Sequence, residues 1–148
     1  MRPEIPKVFA TFAADLVMRV APAISPAYHQ GTIAMIATML AIAGEEWDRG
    51  ASWRVEENKR LRELFREAAP VVKDTGLRMK LDELIETRDD DLRISALTAN
   101  NSALRAALIE LHRYVESMES AGARRVEAAI WKELLASTER RRLSTAQF

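Results

Sequence analysis

An all-α fold is predicted, an up-and-down helical bundle of four to five helices with one very long helix, and three observations carry the prediction. No segment of the 148 residues alternates apolar and polar side chains over more than a few positions, so strand signals are scarce. Apolar residues recur instead at intervals of three and four, the spacing that lines one face of a helix. The breaks between such stretches are short, and short connections between amphipathic helices force antiparallel neighbours. A chain of this size buries roughly 70% of its unfolded surface. That is enough for one core, and residues 1–148 are expected to form a single domain.

After an extended start containing Pro3 and Pro6, the first helix is expected from Lys7 to Ala21. The stretch "APAISPAY" interrupts it, with Ser25 as N-cap and Pro26 at the first helical position, where a missing N–H costs nothing. The second helix runs from there to Ala69, and Pro70 stops it. Its length far exceeds the usual 10–14 residues or so, so a kink is expected, with Gly44 and Gly50 as the weak points. The apolar register survives both glycines. Ile33, Ala37, Leu40, Gly44, Trp47, Ala51, Arg54, Asn58, Leu61, Phe65 and Ala68 alternate fours and threes as a heptad seam. Ala37, Gly44 and Ala51 on that seam leave room for a neighbouring helix to come close.

The third helix is expected from Asp74 to Thr87, and the acidic run Asp89 to Asp91 suits the start of the fourth, where carboxylates meet the positive end of the helix dipole. The fourth helix carries the cleanest pattern: Ile94, Leu97, Asn101, Leu104, Leu108, Leu111, Val115 and Met118. Gly122 ends it or marks a tight turn. The fifth, from Ala123 to Arg142, presents Val126, Ile130 and Leu134 with Trp131 and Leu135 beside them. Its closing run Arg140 to Arg142 complements the negative end of a helix.

Composition removes several classes of function. There is no Cys, hence no disulfide, thiolate metal site or Cys nucleophile. Lys plus Arg equals Asp plus Glu at 22 each, which denies the chain the basic field that a phosphate backbone requires, so no nucleic-acid partner is expected. Asp15 interrupts the apolar run that a secretory signal needs, and the expected compartment is the cytoplasm. The apolar tract Thr32 to Gly44 is too short for the roughly 20 residues of a membrane span. It reads as a buried core helix, with no membrane role. The five glycines stand apart from one another, so no phosphate-cradling loop exists, and no cofactor is called for.

The candidate site comes from a recurrence. "ENKRLRELF" (Glu57 to Phe65) returns as "NNSALRAAL" (Asn100 to Leu108), so that Asn58 and Asn101 each have Leu three and Arg four residues on. Both amides fall on a helical seam, where a buried polar group without a partner costs about 1–3 kcal/mol. The preferred reading is that they fix helix register or oligomeric state, as seam asparagines do in coiled coils. The alternative is a polar pocket in which Asn58, Asn101, Arg54, Arg62 and Arg105 hold a small anion. Trp53 sits among Glu46, Arg49, Glu56 and Glu57; either another helix of the chain covers it or it anchors a partner.

No catalytic residues are assigned. Glu45, Glu46, Asp48, Glu56 and Glu57 are not distinguished from one another, and a solvated face accounts for them all. The only histidines are His29 and His112, and neither sits in the Glu-x-x-His spacing of carboxylate-bridged di-iron bundles. His112 and Glu116 lie one turn apart in "HRYVE"; the preferred reading is a polar i, i+4 pair beside the seam, with no metal, and the alternative makes them metal-ligand candidates, with the rest of a ligand set to come from another helix.

The pair "RVEENKRLRELF" and "LTANNSALRAALIELHRYVE" is similar to small uncharacterised helical-bundle proteins of bacteria, and the second piece resembles the Asn-containing C-terminal helix of flagellar export chaperones. The first resemblance implies a bundle and no particular activity. The second implies an apolar groove that takes up a partner helix. From the long seams, the scarcity of catalytic side chains and Trp53, the expected function is non-enzymatic protein association, as a homodimer first and with a protein partner second. The competing expectation is a bundle that binds a small molecule or a metal.

Overall fold

The structure, a computed structural model, describes residues 3–25 and 27–143. It is all-helical: five α-helices and no strand occur among the described residues. The chain divides into two compact units, one running to Gly50 and including Leu143, the other comprising Ala51–Arg142. The single domain expected from sequence has no boundary at Gly50.

The first unit contains α1 (Ile5–Asp15), a π-helical turn Leu16–Val20, a 3-10 turn Ala21–Ala23, and the N-terminal part of α2 (Ala27–Ala68). α1 starts earlier than expected, with Pro6 inside its first turn, because a proline there removes only an N–H that has no helical acceptor anyway. Pro26, expected to open α2, lies outside the described residues. α2 runs unbroken for 42 residues through Gly44 and Gly50, so neither glycine interrupts it. Gly44 serves a different purpose. A Cβ there would stand 3.6 Å from the Phe9 Cβ and the Pro6 Cα, so the small seam residue does let α1 come close.

Burial in this unit is sparse. α1 buries no residue, and in α2 up to Gly50 only Ile33, Ala37, Gly44 and Gly50 are buried. The tract Thr32–Gly44, read from sequence as a buried core helix, therefore hides one face only. Met35, Ile36 and Met39 remain 61%, 47% and 55% exposed, and the seam residue Trp47 is 64% exposed. No helix among the described residues is long and apolar enough to cross a membrane.

Gly31 meets nothing within 4 Å of a Cβ. Since glycine inside a helix costs about 0.8–1 kcal/mol relative to alanine, Gly31→Ala is expected to raise stability by nearly that amount in urea unfolding. An unchanged midpoint would contradict an ordered helix at this position.

The second unit packs the C-terminal part of α2 with α3 (Thr75–Glu86), α4 (Ile94–Glu116) and α5 (Ala121–Arg140). Its core draws on all four: Leu61, Leu64, Phe65 and Ala68 from α2, Leu81 and Ile85 from α3, Leu104, Leu108, Leu111 and Val115 from α4, Val126 and Ile130 from α5. Burying one Leu, Ile or Phe side chain stabilises by about 1.5–3 kcal/mol, so this stripe supplies most of the driving force. Asp74 caps α3 by accepting from the Leu77 N–H at 2.7 Å, and Ser120 caps α5 by accepting from the Ala123 N–H at 3.1 Å. The turn after α2 is tied down as the Lys73 N–H donates to the Tyr114 hydroxyl at 2.9 Å.

Two boundary expectations are corrected. Gly122 neither ends α4 nor forms the turn; it lies in the first turn of α5, where a Cβ would come within 3.2 Å of Val71. The run Asp89–Asp91 does not open α4, which starts at Ile94 without an acidic residue in its first turn. Trp131 and Leu135 stay on the outside of α5, 51% and 70% exposed.

Candidate functional site

Asn58 on α2 and Asn101 on α4 face one another. The Asn101 Nδ2 donates to the Asn58 Oδ1 at 2.9 Å, and both residues are buried, 0% and 7% exposed. The recurrence in the sequence thus corresponds to two halves of one contact, with Leu61 and Leu104 in the core below it. The remaining amide positions are also satisfied. The Asn58 Nδ2 donates to the Asp89 Oδ1 at 2.9 Å and to the Leu97 carbonyl at 3.4 Å, while the Asn101 Oδ1 accepts from the Arg141 Nη2 at 3.3 Å.

Two carboxylates anchor the ends of this chain of hydrogen bonds. Asp89, in the connection between α3 and α4, receives Arg62 on both oxygens (2.8 and 3.2 Å) and the Asn100 Nδ2 at 3.0 Å. Arg62 in turn donates to the Thr87 hydroxyl at 3.0 Å, and the side chains of Arg62 and Asp89 are each 8% exposed. Glu57, 1% exposed, receives Arg105 on Oε1 at 2.6 Å and Arg141 on Oε2 at 2.6 and 3.0 Å. Burial alone would push both carboxyls up. The Arg141 and Arg105 hydrogen bonds and charges outweigh it at Glu57, and Arg62, Asn100 and Asn58 do so at Asp89, so both lie below the ordinary carboxylate range.

Trp53 is half-buried between two cations. The Arg54 guanidinium lies 4.0 Å and that of Arg141 4.5 Å from its ring centroid, so cover comes from within the chain. Arg54 also donates to the Thr98 hydroxyl at 2.9 Å. All six residues singled out from sequence, Trp53, Arg54, Asn58, Arg62, Asn101 and Arg105, are therefore gathered in the second unit in one polar cluster. Arg62 and Arg105, however, are already engaged by carboxylates of the chain itself, Asp89 and Glu57, the latter shared with Arg141.

Three members escaped the sequence reading. Glu57, expected among the solvated carboxylates, stands four residues before Leu61 and seven before Leu64, on the core face. Arg141 was assigned to the helix dipole; it does sit at the C-cap of α5, but its guanidinium turns to Glu57, Asn101 and Trp53. Asp89, expected at a helix start, is instead an acceptor in the α3–α4 connection with its side chain 8% exposed. The spacing Ile130, Leu134, Ser137, Arg141 carried a usable signal for Arg141, whereas a loop aspartate has no periodicity to betray it.

His112 and Glu116, the metal candidates, lie on α4 with Nε2 and Oε1 3.4 Å apart. The first unit offers a surface of another kind, an apolar groove of about 700 Å³ between Ala13, Val17 and Met18 on one side and Ala34, Ala37 and Ala41 of α2 on the other. Set against models of known protein families, curated proteins and solved structures, the chain matches none of them, so its site rests on geometry alone.

Proposed function

We propose that the chain is a non-enzymatic association module whose contact surface is the N-terminal helical hairpin and whose first partner is a second copy of itself. The observation that carries this reading is the apolar exposure of that hairpin: Phe12, Met18, Tyr28, Met35, Ile36 and Met39 are each between 47% and 79% exposed. Two helices cannot hide two apolar faces, and contiguous exposed patches of this sort mark contact sites. The surface is also suited to its own image. Exposed Met35, Ile36 and Met39 form an apolar ridge on α2, which packs against the same ridge of a second copy about a two-fold axis.

Charge favours a copy over a charged partner. The only Asp, Glu, Lys and Arg residues from Pro3 to Ala43 are Glu4, Lys7, Asp15 and Arg19, and they pair internally as Glu4–Lys7 and Asp15–Arg19. Over this stretch the charges cancel, leaving its surface mainly apolar. The saturated polar cluster of the second unit supports the same reading, since both Glu57 oxygens already accept from arginines and are not held ready for proton transfer. Light scattering on the purified chain is expected to give twice the 16.7 kDa chain mass, falling to the single-chain mass in Met35→Glu/Met39→Glu with helicity retained. A single-chain mass for the unaltered protein at all concentrations would sink the proposal.

A further inference from the structure

We propose that His112, Glu116 and Glu127 form a binding site for one divalent transition-metal ion of the Zn²⁺ type, clipping α4 to α5. His112 and Glu116 share a face in the last turns of α4, and Glu127 lies two turns into α5, across the short connection 117–120. One ligand atom from each of the three lies within 4.8 Å of the other two. The second helix therefore supplies the third ligand that the His112/Glu116 spacing lacked.

Three further features favour a cation here. The His112 Nε2 is buried and makes no hydrogen bond, although the Glu116 carboxylate is close by, so the imidazole lone pair has no competing partner. Four ligands at about 2.0–2.1 Å from a tetrahedral Zn²⁺ stand roughly 3.4 Å from one another. The Nε2 to Oε1 separation of 3.4 Å already matches that edge, and only the flexible Glu127 side chain must draw in. One neutral imidazole and two carboxylates balance a double positive charge, and the mixed N and O set suits Zn²⁺ better than the hard cations Mg²⁺ or Ca²⁺. The Trp131 ring packs edge-on against the imidazole, centroids 5.3 Å apart, and shields one side of it. With three protein ligands, the fourth position falls to water.

Equilibrium dialysis of the full chain against ZnCl₂ followed by elemental analysis tests the site. One Zn²⁺ per chain is expected, with a rise in melting temperature on loading. His112→Ala should abolish stoichiometric binding. Glu127→Gln, a half-exposed position where folding is not at stake, should weaken it by at least about tenfold, since losing even an outer hydrogen-bond partner of a metal ligand costs that much. His29→Ala, on the other unit, should bind as the unaltered chain does. Absence of retained Zn²⁺, or retention that Glu127→Gln leaves unchanged, would overturn the proposal. Neither result bears on the hairpin interface, which is read by mass.

Discussion

Asp89→Ala is expected to destabilise the protein by about 3–5 kcal/mol, the usual cost of removing one partner of a buried ion pair. The size follows from what is left behind. Arg62 is only 8% exposed on its side chain, so the guanidinium keeps its charge without reaching water, and Thr87 is its remaining side-chain partner. Asn58 and Asn100 each lose a hydrogen-bond acceptor in the same change. Asp89→Asn retains an acceptor oxygen but no charge to oppose Arg62, and its loss should fall between zero and the alanine value. Guanidinium unfolding with an unchanged m-value reads both. A loss under about 1 kcal/mol for Asp89→Ala, within the range of an exposed pair, would mean that Arg62 turns to solvent and that the pair does not hold the α3–α4 connection.

The contrast between Asp89 and the helical residues explains what was legible beforehand. Helix type and number follow from local spacing, which is why α3, α4 and α5 and their core faces lie close to where the pattern of leucines puts them. Asn58 and Asn101 were legible for the same reason, because a polar side chain on an apolar stripe must be satisfied. Their partner was not legible, since it depends on how two distant segments are brought together. Asp89 and Arg141 reach the cluster from a connection and from a helix end, where no period constrains direction. The first unit shows the opposite error. Its seam from Ile33 to Trp47 is as regular as that of α4, but regularity says which face is apolar, not whether the same chain covers it. Ile33, Ala37 and Gly44 on that seam are buried, whereas Trp47 at its end remains 64% exposed.

Glu57→Gln is expected to cost about 2–3 kcal/mol, less than a fully buried pair, and to flatten the acid limb of the stability curve. The smaller loss reflects the partners: Arg105 and Arg141 are 40% and 36% exposed on their side chains, so each can recover water when the carboxylate is gone. The acid effect has a definite sign. Glu57 and Asp89 lie below their ordinary range in the folded chain, so the folded state prefers them ionised more strongly than the unfolded state does. Their contribution is complete above the unfolded carboxylate values of about 3.9–4.3 and is lost as pH falls through the lower folded values. Glu133, pushed up by burial against the opposing charge of Arg140, works the other way and offsets part of this loss. The difference between the urea midpoints of the unaltered chain and Glu57→Gln, followed from pH 7 to pH 3, reads Glu57 together with its repulsion of Glu133. That difference should shrink as the pH drops below about 4.3. A gap that stays constant to pH 3 would show that the two arginines do not hold the Glu57 carboxylate in its ionised form.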